Sequence, residues 1–441
     1  MEGRSMVLRQ LSSAVLFYTF FYMNQLNLVP TPMAGAVSVT NETDYQALLE
    51  IKKAIWTDPF GVFNSWNASI HFCNWAGLFI STNHLEGSIP AELGHIRLEM
   101  LQLSLNRLSG EIPFSLYNIT SISLFSVAFN QLRGQLPSDI GLTLPKLEGF
   151  FAGGNQLSGP IPASLANASG LIQIDISQNA ITGPLPLNLG NLEQLPLLHF
   201  GGNPVGTGKG DVDFISSLSN CSSLRILWLP QDQLKGVLPG SIANLSSNLL
   251  LFRLDGNYLS GNIPQGIENL VNLELLALYS NEITGSIPDS IGQLSRLQVF
   301  IMADNKFSGK IPSSIGNMTL LSRLILEANM LEQAIPSSVG NCTVLQELIL
   351  STNRLVGKIP EGVIGLSSLS LGLGLARNNL TGPLPPQVGN LENLILLDIS
   401  ESKLSGEIPN TLGRCLQLQS LNLAGWQVIF SLEKYLHPLK T

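Results

Sequence analysis

Residues with the chemistry of metal binding or nucleophilic catalysis are sparse in this sequence and do not cluster. Five His and four Cys are spread over 441 residues, without the short spacing of zinc or thiol redox motifs. No Ser-His-Asp order stands out, and the kinase motifs H-R-D and D-F-G are absent. We therefore expect no enzyme activity, no metal site and no cofactor. The residues concerned are His71, His84, His95, His199, His437, Cys73, Cys221, Cys342 and Cys415.

One glycine-rich stretch comes close to a phosphate-binding loop but does not fit it. With Gly208-Lys209 in register, the first glycine of that motif falls on Asn203. The residue after Lys209 is Gly210, where the motif needs Ser or Thr, and no strand–loop–helix crossover surrounds it. We interpret the stretch as an insertion in a repeat.

A second group of side chains is typical of binding surfaces. Trp, Arg and Tyr dominate binding hot spots, and Trp228, Arg253 and Tyr279 recur about 25 residues apart. Asp175 and Ala277 share the periodic position of Trp228 and Arg253, and Tyr279 lies two residues later. A row of Ile follows, which as an exposed row would suggest a contact surface. Ordinary variation on a strand face explains the pattern equally well. The candidate ligand-binding residues are Phe151, His199, Trp228, Arg253, Asp255, Tyr279, Ile301, Ile325 and Ile349.

These candidates occupy fixed places in a repeat of mostly 24 residues. A clean copy runs from Leu273 to Pro288, with the template L-x-x-L-x-L-x-x-N-x-L-x-G-x-I-P. Alternation in Leu276-x-Leu278 predicts a short strand, and stacked repeats predict a parallel sheet on a concave face. The recurrent Asn predicts a hydrogen-bonded asparagine ladder, since its amide both donates and accepts. The ladder phase falls at 83, 106, 130, 155, 179, 203, 232, 257, 281, 305, 329, 353, 378, 402 and 426.

Composition agrees with a solenoid and excludes other classes. The net charge is −8 and only 12% of residues are charged, which argues against a nucleic-acid partner. An apolar content of 44% argues against disorder. We expect a right-handed α/β solenoid of about fifteen repeats over residues 81–426, followed by a non-repeat tail, 427–441.

The N-terminus is expected to be a secretory leader. Arg4 and Arg9 precede a short apolar run, and Ala34-Gly35-Ala36 has the small residues of a cleavage site. We predict a signal peptide over 1–36; an uncut signal anchor is the alternative. The chain would then enter a glycosylating compartment and reach the cell surface or the extracellular space. Sequons occur at Asn41, Asn67, Asn118, Asn167, Asn220, Asn244, Asn317, Asn341 and Asn379.

Residues 37–80 resemble the N-terminal cap of plant leucine-rich-repeat receptor-like serine/threonine kinases. The resemblance rests on Thr43-Asp44 with Ala47-Leu48-Leu49, on Ser65-Trp66-Asn67 and on Phe72-Cys73-Asn74-Trp75. Independently, a capping box at Thr43 and an apolar face predict a cap helix. That face consists of Ala47, Leu48, Ile51, Ala54 and Ile55.

A longer repeat narrows the resemblance to the immune-receptor subgroup of these kinases. From Gly201 to Leu224 it resembles an insertion characteristic of that subgroup. The resemblance implies an extracellular module that binds a peptide or protein ligand for defence or cell-surface signalling. It also implies a possible co-receptor with a leucine-rich-repeat ectodomain, and a plasma membrane location for full-length relatives.

Several family features are missing, which makes the chain look like a truncated ectodomain. The second cap cysteine would fall on Ile80, so Cys73 lacks its expected partner. The spacing of Cys221, Cys342 and Cys415 is too wide for disulfides, and we expect buried thiols. No apolar membrane span follows the repeats. A secreted inhibitor of cell-wall-degrading enzymes and a soluble decoy receptor stay open as alternatives.

Overall fold

The computed structural model describes residues 55–57, 84–96, 98–206 and 210–426. The predicted leader, the tail, the site of Cys73 and most of the cap lie outside these residues, as does the ladder position at Asn83. Within the cap, Ile55–Thr57 is a strand that pairs antiparallel with Glu86–Ser88. The expectation that a helix continues through Ile55 is therefore wrong, because this backbone is extended and takes part in sheet pairing.

A parallel sheet of 14 strands runs through the described repeats, and we call it the long sheet. Each strand has three residues, and each is joined in register to the strand of the next repeat, as Leu275↔Val299 and Ala277↔Ile301 show. The predicted repeat register is thereby confirmed. The strands are Met100–Gln102, Leu124–Ser126, Gly149–Phe151, Gln173–Asp175, Leu197–His199, Ile226–Trp228, Leu251–Arg253, Leu275–Ala277, Val299–Ile301, Arg323–Ile325, Glu347–Ile349, Gly372–Gly374, Leu396–Asp398 and Ser420–Asn422.

Shorter strands follow the ladder position in most repeats and form separate sheets of six, five and three strands. The first sheet contains Ile55–Thr57, Glu86–Ser88, Arg107–Glu111, Gln131–Gln135, Gln156–Gly159 and Ala180–Ile181. The second contains Lys235–Val237, Tyr258–Gly261, Glu282–Gly285, Lys306–Gly309 and Met330–Leu331. The third contains Val356–Gly357, Asn379–Gly382 and Lys403–Leu404.

Short helices of three to seven residues complete the repeats, most of them of the 3₁₀ type. A proline usually stands directly before them, because its fixed φ suits the start of a helix. Pro288, with φ −68°, precedes Asp289–Gln293 in this way. The 3₁₀ helices are Ala91–His95, Phe114–Asn118, Ala163–Asn167, Leu187–Asn191, Leu218–Asn220, Gly240–Asn244, Ile267–Asn269, Asp289–Gln293, Ser313–Asn317, Ser337–Asn341, Pro386–Asn390 and Asn410–Arg414. The α-helices are Ile140–Thr143, Asp211–Ser217 and Glu361–Ile364.

The core lies between the long sheet and the helices and extends through the stack. The central residue of each strand points inward, and Leu276, Phe300 and Leu324 are fully buried in three successive repeats. Aromatic side chains continue the stacking: the ring centroids of Phe125 and Phe150 are 5.5 Å apart. Because each repeat buries its apolar side chains against its neighbours, the repeats depend on one another for stability.

The predicted asparagine ladder is present. Asn281 accepts a hydrogen bond from the backbone N–H of Leu259 at 3.0 Å, and its Nδ2 donates to the carbonyls of Leu254 and Leu278, each at 3.0 Å. These bonds join consecutive repeats and satisfy backbone groups that water cannot reach. Asp232 stands at the ladder position between Asn203 and Asn257.

The predicted buried thiols are confirmed for Cys221, Cys342 and Cys415, which are free and buried. Each Sγ lies near a carbonyl of the preceding repeat; the Cys415 Sγ is 3.3 Å from the Val388 oxygen. Burial raises the pKa of Cys221 and of Cys342 to about 11. These thiols therefore act as small core side chains.

Candidate ligand-binding surface

The candidate residues lie on the outer face of the long sheet. The third residue of each strand points away from the core, because its neighbour points inward. We call the series from Phe151 to Ile349 the outward row. It contains, in register across nine adjacent strands, Phe151, Asp175, His199, Trp228, Arg253, Ala277, Ile301, Ile325 and Ile349.

The first part of this row is an acid–imidazole pair. His199 Nδ1 lies 3.3 Å from Asp175 Oδ1, and both side chains are partly exposed. The Ser177 hydroxyl donates a hydrogen bond of 2.7 Å to the same oxygen. Burial opposes ionisation of Asp175, but the His199 charge and the bonds from His199 and Ser177 outweigh it and lower the pKa. Asp175 is therefore a carboxylate at neutral pH.

Trp228 joins this pair to a cation. Its ring centroid is 4.9 Å from that of His199, and the guanidinium carbon of Arg253 lies 4.7 Å from the Trp228 centroid. The second distance is within the range of a cation–π interaction. The rings and the guanidinium thus form one continuous stack over three adjacent strands.

Arg253 is held from its other side by Asp255. Arg253 donates from Nε and Nη2 to the two carboxylate oxygens of Asp255, each at 2.7 Å, and Nη2 lies 3.3 Å from the Tyr279 hydroxyl. Burial opposes the Arg253 charge, yet the charge of Asp255 and its hydrogen bonds raise the pKa of Arg253. Burial also disfavours the ionised form of Tyr279 and so raises its pKa, and the hydroxyl stays protonated. The guanidinium charge is neutralised within the protein.

The central candidate residues are largely buried in the full chain. In the full 441-residue chain Trp228 is 5% exposed, Arg253 7%, Asp255 0% and Tyr279 7%. Within the row, Arg253 lies on Trp228 and is bonded to Asp255 and Tyr279. Phe151 and His199 keep partial exposure.

The predicted exposed isoleucine row is wrong for the full chain. Ile301 and Ile325 are fully buried, and Ile349 is 7% exposed. Each is in register with an apolar residue on at least one side. Ile349 also fills the space beside Gly374, where an added Cβ would lie 3.2 Å from its Cδ1.

A parallel apolar lane lies on the same face and was not predicted from the sequence. The first residue of each strand points to the same side as the third. In five successive strands this position carries Leu197, Ile226, Leu251, Leu275 and Val299, all buried in the full chain. Strand alternation could have revealed the lane, since these residues lie two positions before the outward row. The lane ends at Arg323 and Glu347, whose Nε and Oε2 atoms are 3.5 Å apart.

The insertion between Asn203 and Asp232 contains the helix Asp211–Ser217, with Phe214 and Ile215 fully buried. Among its described residues this repeat has no short strand, so the shorter sheets are interrupted between Ile181 and Lys235 while the long sheet continues. Gly208 and Lys209 lie outside the described residues.

Six sequons share one place in the fold. Each is the last residue of a 3₁₀ helix, and each is exposed. They are Asn118, Asn167, Asn220, Asn244, Asn317 and Asn341. The same helix position carries exposed Asn191, Asn269 and Asn390 without a sequon, so the position itself favours asparagine. Asn379 lies in a short strand, and Asn41 and Asn67 fall outside the described residues.

In the part of the chain that the structure describes, no group of three or more His, Cys, Asp or Glu residues is arranged to hold a metal ion. None of the helices described there has the length and apolar character of a membrane span.

Comparison with protein families supports the repeat assignment. Residues 41–79 match the leucine rich repeat N-terminal domain, and residues 272–294, 296–318 and 393–415 match the leucine rich repeat.

Curated relatives are plant leucine-rich-repeat receptor-like kinases. The receptor kinase-like protein Xa21 of Oryza sativa subsp. japonica is 43% identical over 20% of this chain and 8% of its own length. The Arabidopsis thaliana receptor-like kinase EFR is 41% identical over 23% of this chain and 9% of its own length. The chain thus matches about a tenth or less of these relatives.

Solved ectodomains share the fold. A plant peptide hormone receptor, RGFR1 in complex with RGF2, superposes with a TM-score of 0.60 and 30% identity, covering 78% of this chain and 61% of that one. The Arabidopsis receptor kinase HAESA, in complex with the peptide hormone IDA and the co-receptor SERK1, gives 0.58 and 28% identity, covering 88% and 82%. The chain is a leucine-rich-repeat solenoid of the kind found in plant receptor ectodomains.

Proposed function

We propose that this leucine-rich-repeat chain is the extracellular ligand-recognition module of a plant receptor-like kinase, and that it binds a peptide or protein across the outward row. The observation that carries the proposal is the continuous stack of Asp175, His199, Trp228 and Arg253 on four adjacent strands. It holds Trp and Arg, two of the residue types enriched in binding hot spots, in fixed positions.

The dimensions of the surface suit an extended segment. At about 4.8 Å per strand, the distance from Phe151 to Ala277 is roughly 24 Å. An extended chain advances about 3.4 Å per residue, so roughly seven ligand residues would cross it. The neighbouring lane from Leu197 to Val299 would take apolar ligand side chains.

The internal pairing of Arg253 bears on the kind of ligand. Because Asp255 already neutralises the guanidinium, Arg253 serves to hold the Trp228 ring in place rather than to capture an acidic group.

The binding module in this proposal is the chain from about Val37 onward, after removal of the predicted leader. The exposures given above are those of the 441-residue chain.

The sequons support the same choice of face. Six exposed sequons stand at the ends of 3₁₀ helices, on the side of the repeats opposite the long sheet. Glycans at these asparagines would leave the outward row accessible to a partner.

The wider context of the proposal comes from the relatives. They are receptor-like kinases, and one solved neighbour binds a peptide hormone together with a co-receptor. We propose a cell-surface or extracellular location, a co-receptor with a similar ectodomain, and a role in defence, the last resting on the insertion after Asn203.

A linear peptide display library, selected against the secreted chain, tests this proposal. Peptides enriched on the wild-type chain are expected to lose at least tenfold in affinity for Trp228→Ala. Leu187→Ala, which truncates a side chain 51% exposed at the start of a 3₁₀ helix, is the matched control and should bind normally. Equal binding to both variants would remove the outward row as the site, and a failure to enrich any peptide would remove peptide recognition.

A further inference from the structure

One rung of the asparagine ladder carries an acid. Asp232 stands where the neighbouring rungs have Asn203 and Asn257. In the neighbouring rung, Asn257 Oδ1 accepts the N–H of Leu234 at 2.9 Å, and Nδ2 donates to the carbonyls of Leu229 and Leu254 at 2.8 Å. An ordinary rung therefore needs both an acceptor and a donor at the end of the side chain.

Asp232 fills only half of this role when it is ionised. Its side chain is completely buried, and Oδ1 accepts the backbone N–H of Asn203 at 2.9 Å. Its Oδ2 is buried with no hydrogen-bond partner among the described residues. A carboxylate has only acceptors, whereas a carboxylic acid has an O–H that can donate as the amide of Asn does. A buried polar atom without a partner is costly, and a buried unpaired charge is costlier.

The charges around Asp232 add to this cost. From the next repeat Asp255 faces it, and the two negative charges repel. Arg253 is already committed to Asp255, with Tyr279 beside it. On the insertion side, Asp211 accepts the backbone N–H of Lys235, three residues after Asp232.

Burial has the largest effect on the pKa of Asp232. It raises the pKa of Asp232 well above its usual range, and Asp255 raises it further, while the N–H groups of Asn203 and Gly202 act in the opposite direction. The direction agrees with the geometry, in which one carboxyl oxygen is satisfied and the other is not.

We propose that Asp232 is a neutral carboxylic acid in the folded chain, and that its ionisation loosens the ladder next to the repeat that carries the Arg253–Asp255 pair. This rung would then make the centre of the long sheet sensitive to pH. The inference does not depend on the proposed ligand.

The sign of the effect follows from linkage. In the unfolded chain an aspartate titrates near pH 3.9, whereas the folded chain holds the proton to higher pH. Between these two pKa values the folded state binds more protons, so the stability of the fold decreases as the pH rises. Below the unfolded pKa the cost of ionising Asp232 is absent, and above the folded pKa that cost is constant.

Infrared difference spectroscopy of the full chain tests the protonation state directly. The spectrum of wild type minus Asp232→Asn at neutral pH should show the carbonyl band of a neutral carboxylic acid, which should fade as the pH is raised. Asp255→Asn should move the midpoint to lower pH, because it removes the repelling charge. A carboxylate band at neutral pH, with no acid band, would overturn the proposal.

Thermal unfolding tests the consequence. Asp232→Asn restores an ordinary rung and should raise Tm by about 2 to 4 °C at pH 8, with a smaller gain at pH 4.5. Asp304→Asn, the same change at an exposed aspartate, is the control and should give no pH-dependent gain. An equal gain at both pH values, or a loss of stability in Asp232→Asn, would contradict a titrating acid at this rung.

Discussion

Arg253 and Asp255, two residues apart on the same face of the long sheet, form a buried bidentate ion pair with two hydrogen bonds of 2.7 Å. The pair links the residues in the central part of the outward row. It keeps the guanidinium over Trp228, and Trp228 in turn packs on His199. The pair belongs to the organisation of the surface, and its charges are largely compensated within the protein.

Breaking this pair should destabilise the fold strongly. Asp255→Asn leaves the Arg253 charge buried without its counterion, and we expect a loss of about 3 to 5 kcal/mol in the free energy of unfolding. The double variant Arg253→Met with Asp255→Asn should lose much less, because no charge is left unpaired. Urea unfolding of both single variants and the double variant measures the coupling; additive losses would show that the pair does not act as a unit.

The asparagine ladder should be equally sensitive at its interior rungs. Asn281→Ala removes the acceptor for Leu259 and the donor to Leu254 and Leu278, leaving buried backbone groups unsatisfied. At about 1 to 3 kcal/mol for each such group, we expect a loss of several kcal/mol. Asn191→Ala, at an exposed asparagine outside the ladder, should be close to neutral. Chemical denaturation of the two variants decides the point, and similar losses would exclude a special role for the ladder.

Glycosylation should follow the sequons on the 3₁₀ helices. Chain secreted from a plant cell should carry glycans at several of the six exposed sequons, and none at Asn191, Asn269 or Asn390, because only the former have the acceptor motif. Mass spectrometry of peptides before and after glycosidase treatment maps the occupied sites. Absence of any glycan on the secreted chain would argue against this side being the outer flank.

The three buried thiols should be inert in the folded protein. With the pKa of Cys221 and Cys342 raised to about 11 by burial, roughly one thiol in a thousand is ionised at pH 8, and access is blocked as well. Alkylation by iodoacetamide should be slow in native buffer and complete in denaturant. Rapid modification of Cys221 in the native chain would contradict the burial.

The repeat itself was predictable because each position has one local task. Leu276 alternates with outward residues, Asn281 must satisfy a turn, and Gly285 adopts φ +76°, which only glycine does without strain. These requirements act within one or two repeats, so a single sequence reveals them.

The contacts and burial of the side chains on the outward row were not predictable in the same way. The contacts of Arg253 come from Trp228 in the repeat before it and from Tyr279 in the repeat after it. Phe214 anchors the helix Asp211–Ser217 because it is fully buried in the core. The spacing of residues in the sequence alone does not show this. The acid at Asp232 matches the ladder in position, but its unsatisfied Oδ2 becomes visible only in three dimensions.

Photo-crosslinking from a bound peptide tests the central claim most directly. A peptide selected on the wild-type chain, carrying a photoreactive group, would be crosslinked and mapped by mass spectrometry. Crosslinks are expected within the segment that contains the strands from Gly149–Phe151 to Val299–Ile301, on residues of the outward row and its neighbouring lane. Crosslinks confined to the 3₁₀ helices or to the short strands would contradict recognition on the outer face of the long sheet.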